Sequence, residues 1–190
     1  ETMKYLESVG YNITYLSVDT FGKIDLTELK NAITENTCLI TIMMANNELG
    51  NIYPIKEIGQ IAKENNILFH CDAVQAVGKV KIDVKEFNID TLSLSGHKIN
   101  APKGIGILYV KKGTLFVPLI FGHQERNMRG GTENVPYIIG LGKAIELILN
   151  DKIKEEDVTD SFAFLVTIKG TFRYKDVEYV DTTKRFEVIL

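Results

Sequence analysis

Five short apolar segments, separated by stretches with helical periodicity, are the feature that most restricts the fold of this chain. Most of the segments are apolar throughout, as in strands that are buried on both faces of a parallel sheet. Such strand–helix–strand alternation predicts an α/β domain with a mostly parallel sheet and right-handed crossovers. The predicted strands lie at residues 13–18, 38–45, 67–73, 91–96 and 104–110.

Helix boundaries are indicated at three places between these segments. Asp25 and Glu28 have the spacing of a capping box ahead of a helix. Pro54 suits the first turn of the next helix, which carries a single apolar stripe. A later helix is predicted to begin near Thr132, with apolar residues at helical spacing after it.

The last part of the chain has a different pattern. Residues 161–190 contain four short apolar segments broken by Lys-Gly and Lys-Asp pairs, which predicts a β-rich tail of short strands joined by turns. The preceding stretch, DKIKEEDVTD, is densely charged. We therefore expect a domain at 1–150, a charged linker at 151–160 and a separate tail at 161–190.

Composition excludes several classes of function. The formal net charge is -3 and basic residues are interspersed with acidic ones, so no basic block indicates nucleic acid or an anionic membrane as a partner. No apolar run approaches the roughly 20 residues that span a bilayer, and the first residues lack a signal-peptide pattern. Cys38 and Cys71 are too few for a disulfide framework, which favours a cytoplasmic protein. The cysteines and histidines show no metal-ligand spacing.

Polar residues gather at the ends of three predicted strands, within residues 44–50, 70–75 and 93–98. Ligands of parallel sheets bind beyond the carboxyl ends of the strands, where these segments would meet although they are far apart in sequence. The side chains that would converge there are those of Asn47, Asp72, Gln75, Ser95, His97 and Lys98.

Together these groups suit a planar heteroaromatic cofactor that bears a phosphate. A carboxylate keeps a pyridine nitrogen protonated, and a lysine forms an imine and then acts as acid or base. Hydroxyl, imidazole and backbone N–H groups hold a phosphate. Each residue alone has an ordinary structural reading, such as a surface lysine, a helix-capping Asp or a satisfied core histidine at His70. Cys38 and Cys71 are likewise expected to be small hydrophobes rather than reactive thiols.

The chain resembles the cysteine desulfurases of the class V aminotransferase group over residues 1–150. The segments that carry the resemblance are ANNELGNIYPIKEIGQIA, LFHCDAVQAVGKVKIDV, LSLSGHKINAPKGIGILYV and HQERNMRGGTENVPYIIGLGKA. They are most similar to the members that supply sulfur to iron–sulfur clusters. The resemblance implies a pyridoxal 5'-phosphate (PLP) enzyme and the large PLP-binding domain of that family, a three-layer α/β/α sandwich around a mostly parallel sheet that is incomplete in this chain.

The resemblance also implies a role for each candidate residue. Lys98 would hold PLP as a Schiff base, and Asp72 would pair with its pyridinium nitrogen. The ring oxygen or the substrate would be contacted by Asn47 and Gln75. The phosphate would be bound by Ser95, His97 and, in the partner subunit's site, Thr132.

The implied reaction converts L-cysteine to L-alanine and leaves the sulfur as a persulfide on an enzyme cysteine. A homodimer is implied, with an iron–sulfur scaffold or another sulfur acceptor as partner. The chain departs from the family pattern because it lacks both family termini, including the persulfide-forming cysteine, a ring-stacking histidine and a substrate-binding arginine. We therefore expect a fragment that is inactive as a desulfurase.

Two alternatives remain open at this stage. One is a selenocysteine lyase or another class V aminotransferase, which the absent persulfide loop would distinguish. The other is a non-catalytic remnant that retains a dimerisation surface. The sequence does not identify the sulfur acceptor, the missing nucleophile or the origin of residues 161–190.

Overall fold

A computed structural model of the protein describes residues 1–151 and three short strands at 173–174, 177–178 and 187–189. The chain divides into two compact units, Glu1–Thr37 and Cys38–Leu190. Among the described residues, every helix is too short or too polar to cross a membrane.

The first unit contains two short helices, α1 (Thr2–Ser8) and α2 (Leu26–Ala32). Asp25 caps α2 as the sequence predicts, because its side chain accepts the backbone N–H of Thr27 at 2.7 Å. Glu28 does not complete a capping box. Its carboxylate instead accepts the backbone N–H and the hydroxyl of Ser17, at 3.1 and 2.6 Å. These bonds lower the pKa of Glu28.

The prediction of a strand at residues 13–18 is wrong. Within that segment only Val18 pairs, in an isolated antiparallel bridge with Ile24. A strand is defined by the ladder of hydrogen bonds to a neighbour, and apolar content alone does not supply one. Tyr15 and Val18 are both more than half exposed, so the segment buries little of its apolar surface.

The second unit is built around a five-stranded sheet. Its strands, in sheet order, are β1 (Leu39–Met43), β2 (Leu68–Asp72), β3 (Thr91–Ser95), β4 (Gly106–Val110) and β7 (Glu187–Ile189); β5 (Arg173–Tyr174) and β6 (Val177–Glu178) form a separate pair. The first three strands are parallel, and β4 and β7 are antiparallel to their neighbours. The parallel part of the predicted sheet is thus confirmed.

Helices connect these strands and cover one side of the sheet. Pro54 precedes α3, as the sequence predicts, and the last helix begins at Val135, three residues after the predicted start at Thr132. A Cβ at Gly59 of α3 would lie 1.8 Å from the carbonyl oxygen of Phe87 and 3.3 Å from the ring of Phe69, so α3 packs closely against β2. The helices of this unit are α3 (Ile55–Glu64), the single turn α4 (Gln124–Asn127) and α5 (Val135–Asp151).

The two faces of the sheet differ in chemistry. Side chains alternate between faces along each strand. The face toward the helices carries Phe69, Cys71, Leu92 and Leu94, all buried. We call the opposite side the open face. It presents residues that are half-buried or exposed, namely Leu39, Thr41, Met43, Leu68, His70, Asp72, Thr91, Ser93 and Ser95.

Part of the predicted β-rich tail is described. Strands β5 (Arg173–Tyr174) and β6 (Val177–Glu178) pair antiparallel, and β7 pairs with β4 at the edge of the main sheet. Residues 152–160 of the predicted linker (151–160), and the first apolar segment of the predicted tail, at 164–168, lie outside the described residues. The division of the chain into domain, linker and tail therefore stays a prediction.

Candidate active site

The carboxyl ends of the three parallel strands meet at one edge of the sheet. Met43 is the register partner of Asp72, and Asp72 is the partner of Ser93. Ser95 ends β3 two residues later, roughly 7 Å farther along the strand direction. The segments that the sequence predicts to converge therefore do so.

Asp72 is the last residue of β2 and is fixed by its own loop. Its carboxylate accepts the backbone N–H of Val74 at 2.9 Å. The next residue, Ala73, donates its N–H to the carbonyl oxygen of Ser93 at 2.9 Å, which ties this loop to β3. The half-buried carboxylate is thus held at the edge of the open face.

Lys98 lies in a short 3₁₀ turn (Gly96–Ile99) that directly follows β3. The turn packs tightly, since a Cβ at Gly96 would be 2.8 Å from the side chain of Ile105. It ends at Asn100, whose φ of 63° is left-handed. Ile99 is buried while Lys98 is exposed. Within the described residues Lys98 forms neither a hydrogen bond nor an ion pair, so its amine is available to a ligand.

Ser95 and His97 form a polar pair beside Lys98. The hydroxyl of Ser95 and Nδ1 of His97 are 2.7 Å apart. His97 is exposed and Ser95 is half-buried. A hydroxyl and an imidazole held this close are suitable donors for a phosphate.

Asn47 and Gln75 lie in the loops that follow β1 and β2. Asn46 shapes the first loop, since its side chain accepts the N–H groups of Glu48 and Leu49 at 2.8 and 2.9 Å. Asn47 is exposed and donates to the Glu48 carboxylate. Gln75 is half-buried and accepts from Lys79 at 3.4 Å. Both amides lie in loops that follow strands of the sheet, and these hydrogen-bond partners are local.

Thr132 is exposed, three residues before α5 begins. The loop ahead of it folds back on itself, since a Cβ at Gly122 would lie 2.4 Å from the Cα of Gly130. The turn between these glycines contains three consecutive left-handed residues, Glu125, Arg126 and Asn127, with φ of 47°, 60° and 67°. Such a run is uncommon without glycine.

Three further polar residues on the open face were not among the sequence candidates. Nδ1 of His70 is 2.9 Å from the hydroxyl of Thr91, and Nε2 is 3.4 Å from the hydroxyl of Ser93. Burial lowers the pKa of His70, and the charge of Asp72 acts in the opposite direction. The alternation of TLSLS at residues 91–95 is the signal that could have identified this face.

The cysteines lie away from this group of residues. Cys71 is fully buried on the face opposite to Asp72, and burial raises the pKa of its thiol to about 12. Cys38 is exposed, but it precedes β1 and so lies at the far end of that strand. Five strand residues separate it from the carboxyl edge, about 16 Å at the usual rise.

Comparison with known proteins identifies the family of this chain. The Aminotransferase class-V family model matches residues 2–163. A cysteine desulfurase of Nostoc sp. is 59% identical over 147 residues, 77% of this chain and 37% of the relative. The cysteine desulfurase IscS of Methanosarcina thermophila is 60% identical over 147 residues, 77% of this chain and 36% of the relative.

A solved structure, SspA in complex with cysteine, superposes with a TM-score of 0.74 at 51% identity, covering 76% of this chain and 43% of SspA. The chain thus belongs to the class V aminotransferase family. It spans about 37% of the length of the Nostoc relative.

Members of this family depend on PLP, and the residues present fit that group. The edge carries a fixed carboxylate at Asp72, an amine without a described partner at Lys98, and the Ser95–His97 pair. These are donors and acceptors of the kinds that a pyridinium nitrogen, an aldehyde and a phosphate require.

Proposed function

We propose that this chain is part of a PLP-dependent cysteine desulfurase that acts on L-cysteine. The observation that most supports the proposal is the parallel pairing of β2 with β3, in which Asp72 ends one strand and the turn that contains Lys98 directly follows the other. The named relatives support it, since two are cysteine desulfurases and one solved neighbour was determined with cysteine.

Each candidate residue at this edge of the sheet has a separate proposed role in binding or catalysis. PLP, when bound, withdraws electrons from the α-carbon of an attached amino acid. Asp72, with its fixed carboxylate, would pair with the ring nitrogen and favour its protonated form. Lys98 would hold the group through Nζ and would serve as acid or base for the substrate α-carbon. Asn47 and Gln75 contact the ring oxygen or the substrate.

Phosphate binding is assigned to three residues. Ser95 and His97 are already paired at 2.7 Å, so little ordering is needed before they hold the anion. Thr132 serves the site of a partner subunit. Its exposure and its place in the loop before α5 leave it free to reach another chain.

The cysteine that accepts sulfur is not assigned to either cysteine of this chain. Cys71 is buried on the other face of β2, with its thiol pKa raised to about 12, so almost no thiolate is present at neutral pH. Cys38 lies at the opposite end of β1 from Asp72. The 190-residue chain alone is therefore expected to release little sulfide from cysteine.

A homodimer is part of the proposal. Apolar side chains at Leu115, Val117, Leu119, Ile120 and Phe121 are 68–94% exposed in one continuous segment. So large an exposed apolar patch is typical of an interface. It adjoins the loop that carries Thr132, so a second copy seated there would bring Thr132 to a neighbouring site.

The cellular context follows from the same reaction. An iron–sulfur scaffold or another thiol-bearing protein would receive the sulfur. Both cysteines are unpaired in the described residues, which favours a reducing, cytoplasmic compartment.

Covalent attachment at Lys98 tests the proposal directly. We expect the chain incubated with PLP and then reduced with borohydride to carry one stable adduct, located at Lys98 by peptide mass analysis. Lys98→Ala should lose that adduct. Lys103→Ala is the matched control, because Lys103 is also exposed and lies just beyond the turn.

An adduct that persists in folded Lys98→Ala at the wild-type level would rule out the assigned anchor. No adduct on the folded wild-type chain would favour a non-catalytic remnant instead. Circular dichroism of each variant establishes that the comparison is between folded proteins.

A further inference from the structure

We propose that His70 is a positioning residue that holds the Asp72 loop through Ser93 and remains neutral when the cofactor is bound. This inference rests on the proposed function. The His70 side chain is half-buried and titratable, lies on the open face, and has no role in the reaction proposed above.

The first support is the way in which His70 is held. Its two ring nitrogens face two hydroxyls on β3, Thr91 at 2.9 Å and Ser93 at 3.4 Å. A neutral imidazole has one donor and one acceptor nitrogen, and a hydroxyl serves either. The neutral ring is satisfied with one hydroxyl donating and the other accepting, whereas a protonated ring would require both hydroxyls to accept.

The second support is a continuous path of contacts from His70 to the Asp72 carboxylate. His70 contacts the side chain of Ser93. The carbonyl oxygen of Ser93 accepts the N–H of Ala73 at 2.9 Å. The N–H of Val74, one residue on, donates to the carboxylate of Asp72 at 2.9 Å. Ser93 is thus connected by these contacts to Asp72, the residue that would pair with the ring nitrogen.

The third support is electrostatic. His70 and Asp72 are two residues apart on β2 and share the open face. The neighbouring strands present neutral groups to His70, Thr41 from β1 and Thr91 with Ser93 from β3. Among the described residues, Asp72 is the charge that acts on the pKa of His70, which it raises against the lowering effect of burial.

Because the charge of Asp72 acts on the pKa of His70, cofactor binding at Asp72 and protonation of His70 should be linked. A protonated ring nitrogen beside Asp72 would offset the carboxylate charge, so loading with PLP should lower the pKa of His70 further. By reciprocity, protonation of His70 should weaken PLP binding. The effect belongs at acid pH, because the pKa of His70 already lies below its ordinary value of 6.5.

The first experiment measures the pKa of His70 without cofactor and then with PLP bound. Imidazole NMR titration gives the pKa of each histidine in the wild-type chain and in Asp72→Asn. We expect Asp72→Asn to lower the pKa of His70, and PLP loading of the wild type to shift it in the same direction. The NMR signal of His123, which is exposed and contacts Asn127, serves as the internal reference.

The second experiment compares PLP affinity among variants by the absorbance of the bound cofactor between pH 5 and 8. His70→Gln keeps a neutral hydrogen-bonding group, and we expect binding within about twofold of wild type at pH 7.5, with the acid-side loss removed. Loss of the hydrogen bonds in His70→Phe should weaken binding by about five- to tenfold. Ser93→Ala should follow His70→Phe, whereas Thr91→Ala, which leaves the Ser93 path intact, should stay closer to wild type.

The outcomes separate the two proposals. Equal PLP affinity in folded His70→Gln and His70→Phe would overturn the positioning role, and so would a His70 pKa that Asp72→Asn leaves unchanged. In either case a Lys98 adduct on the wild type would leave the proposed function standing. If no adduct forms but Asp72→Asn still lowers the pKa of His70, the proposed function fails while the coupling of His70 to Asp72 is supported.

Discussion

Strand β2 has two faces that differ in what they contribute to the protein. Phe69 and Cys71 point toward the helices and are fully buried. His70 and Asp72, which alternate with them, lie on the open face and are half-buried. The same five residues, Leu68–Asp72, therefore supply part of the hydrophobic core and part of the candidate active site.

This difference between the faces determines where substitutions should affect stability and where they should affect binding. Burial of apolar surface is the main favourable term in folding, at about 25 cal/mol per Å². The open face buries less and holds its polar groups by hydrogen bonds whose net contributions are small, about 1 kcal/mol each. Substitutions on the buried face should thus mainly lower stability, and substitutions on the open face should mainly weaken binding.

The largest effect is expected for Phe69→Ala on the buried face. Phe69 is 0% exposed and packs against α3. We expect the free energy of unfolding to fall by about 3–5 kcal/mol, as for other buried aromatic truncations. Urea denaturation measures this. The matched control is Leu68→Ala, one residue earlier and 40% exposed, where the loss should be about 1 kcal/mol. Equal losses would mean that the two faces are not distinct.

The sheet was largely predictable because its strands have strong local signals. The segments predicted at 38–45, 67–73, 91–96 and 104–110 contain β1 to β4, with errors of one or two residues at the ends. The direction of each strand was harder to predict from the sequence. The antiparallel pairing of β4 with β3 depends on a tight return of the chain near Gly104, whose φ is 87°, and apolar content does not encode it.

The site was predictable at the level of strand ends and not at the level of contacts. Asp72 and Lys98 follow apolar strands, so the parallel-sheet rule places both at one edge. The contacts of His70 join residues 21 and 23 positions apart and depend on the register of β2 with β3. A register shift of one residue would reverse every face, so these partners could not be identified before the pairing was known.

An intermediate effect is expected for Cys71 at alkaline pH. The ordinary thiol pKa of 9.0 is raised to about 12 by burial, so above pH 9 the unfolded chain loses a proton that the folded chain retains. Stability is therefore unaffected by this group at lower pH and falls as pH rises, by about 1.4 kcal/mol per pH unit until the folded thiol ionises. Cys71→Ala should reduce that slope between pH 9 and 11, measured by urea denaturation at each pH.

Thiol labelling gives an independent check on the same difference in burial. Cys38 is exposed and should react with a maleimide in the native chain, whereas Cys71 should react only after unfolding. Rapid labelling of native Cys71 at neutral pH would show that this face opens to solvent, and the assignment of β2 to a sealed core would then be wrong.

The smallest effect on stability is expected for Asp72→Asn on the open face. The amide oxygen can still accept the N–H of Val74, so the free energy of unfolding should change by no more than about 0.5 kcal/mol. Asp72→Ala loses that acceptor and should cost about 1 kcal/mol. Both variants should nevertheless bind PLP more weakly, because neither supplies the negative charge that holds a proton on the ring nitrogen. A loss of several kcal/mol in Asp72→Asn would mean that this carboxylate stabilises the fold, and the functional reading of the open face would lose its clearest member.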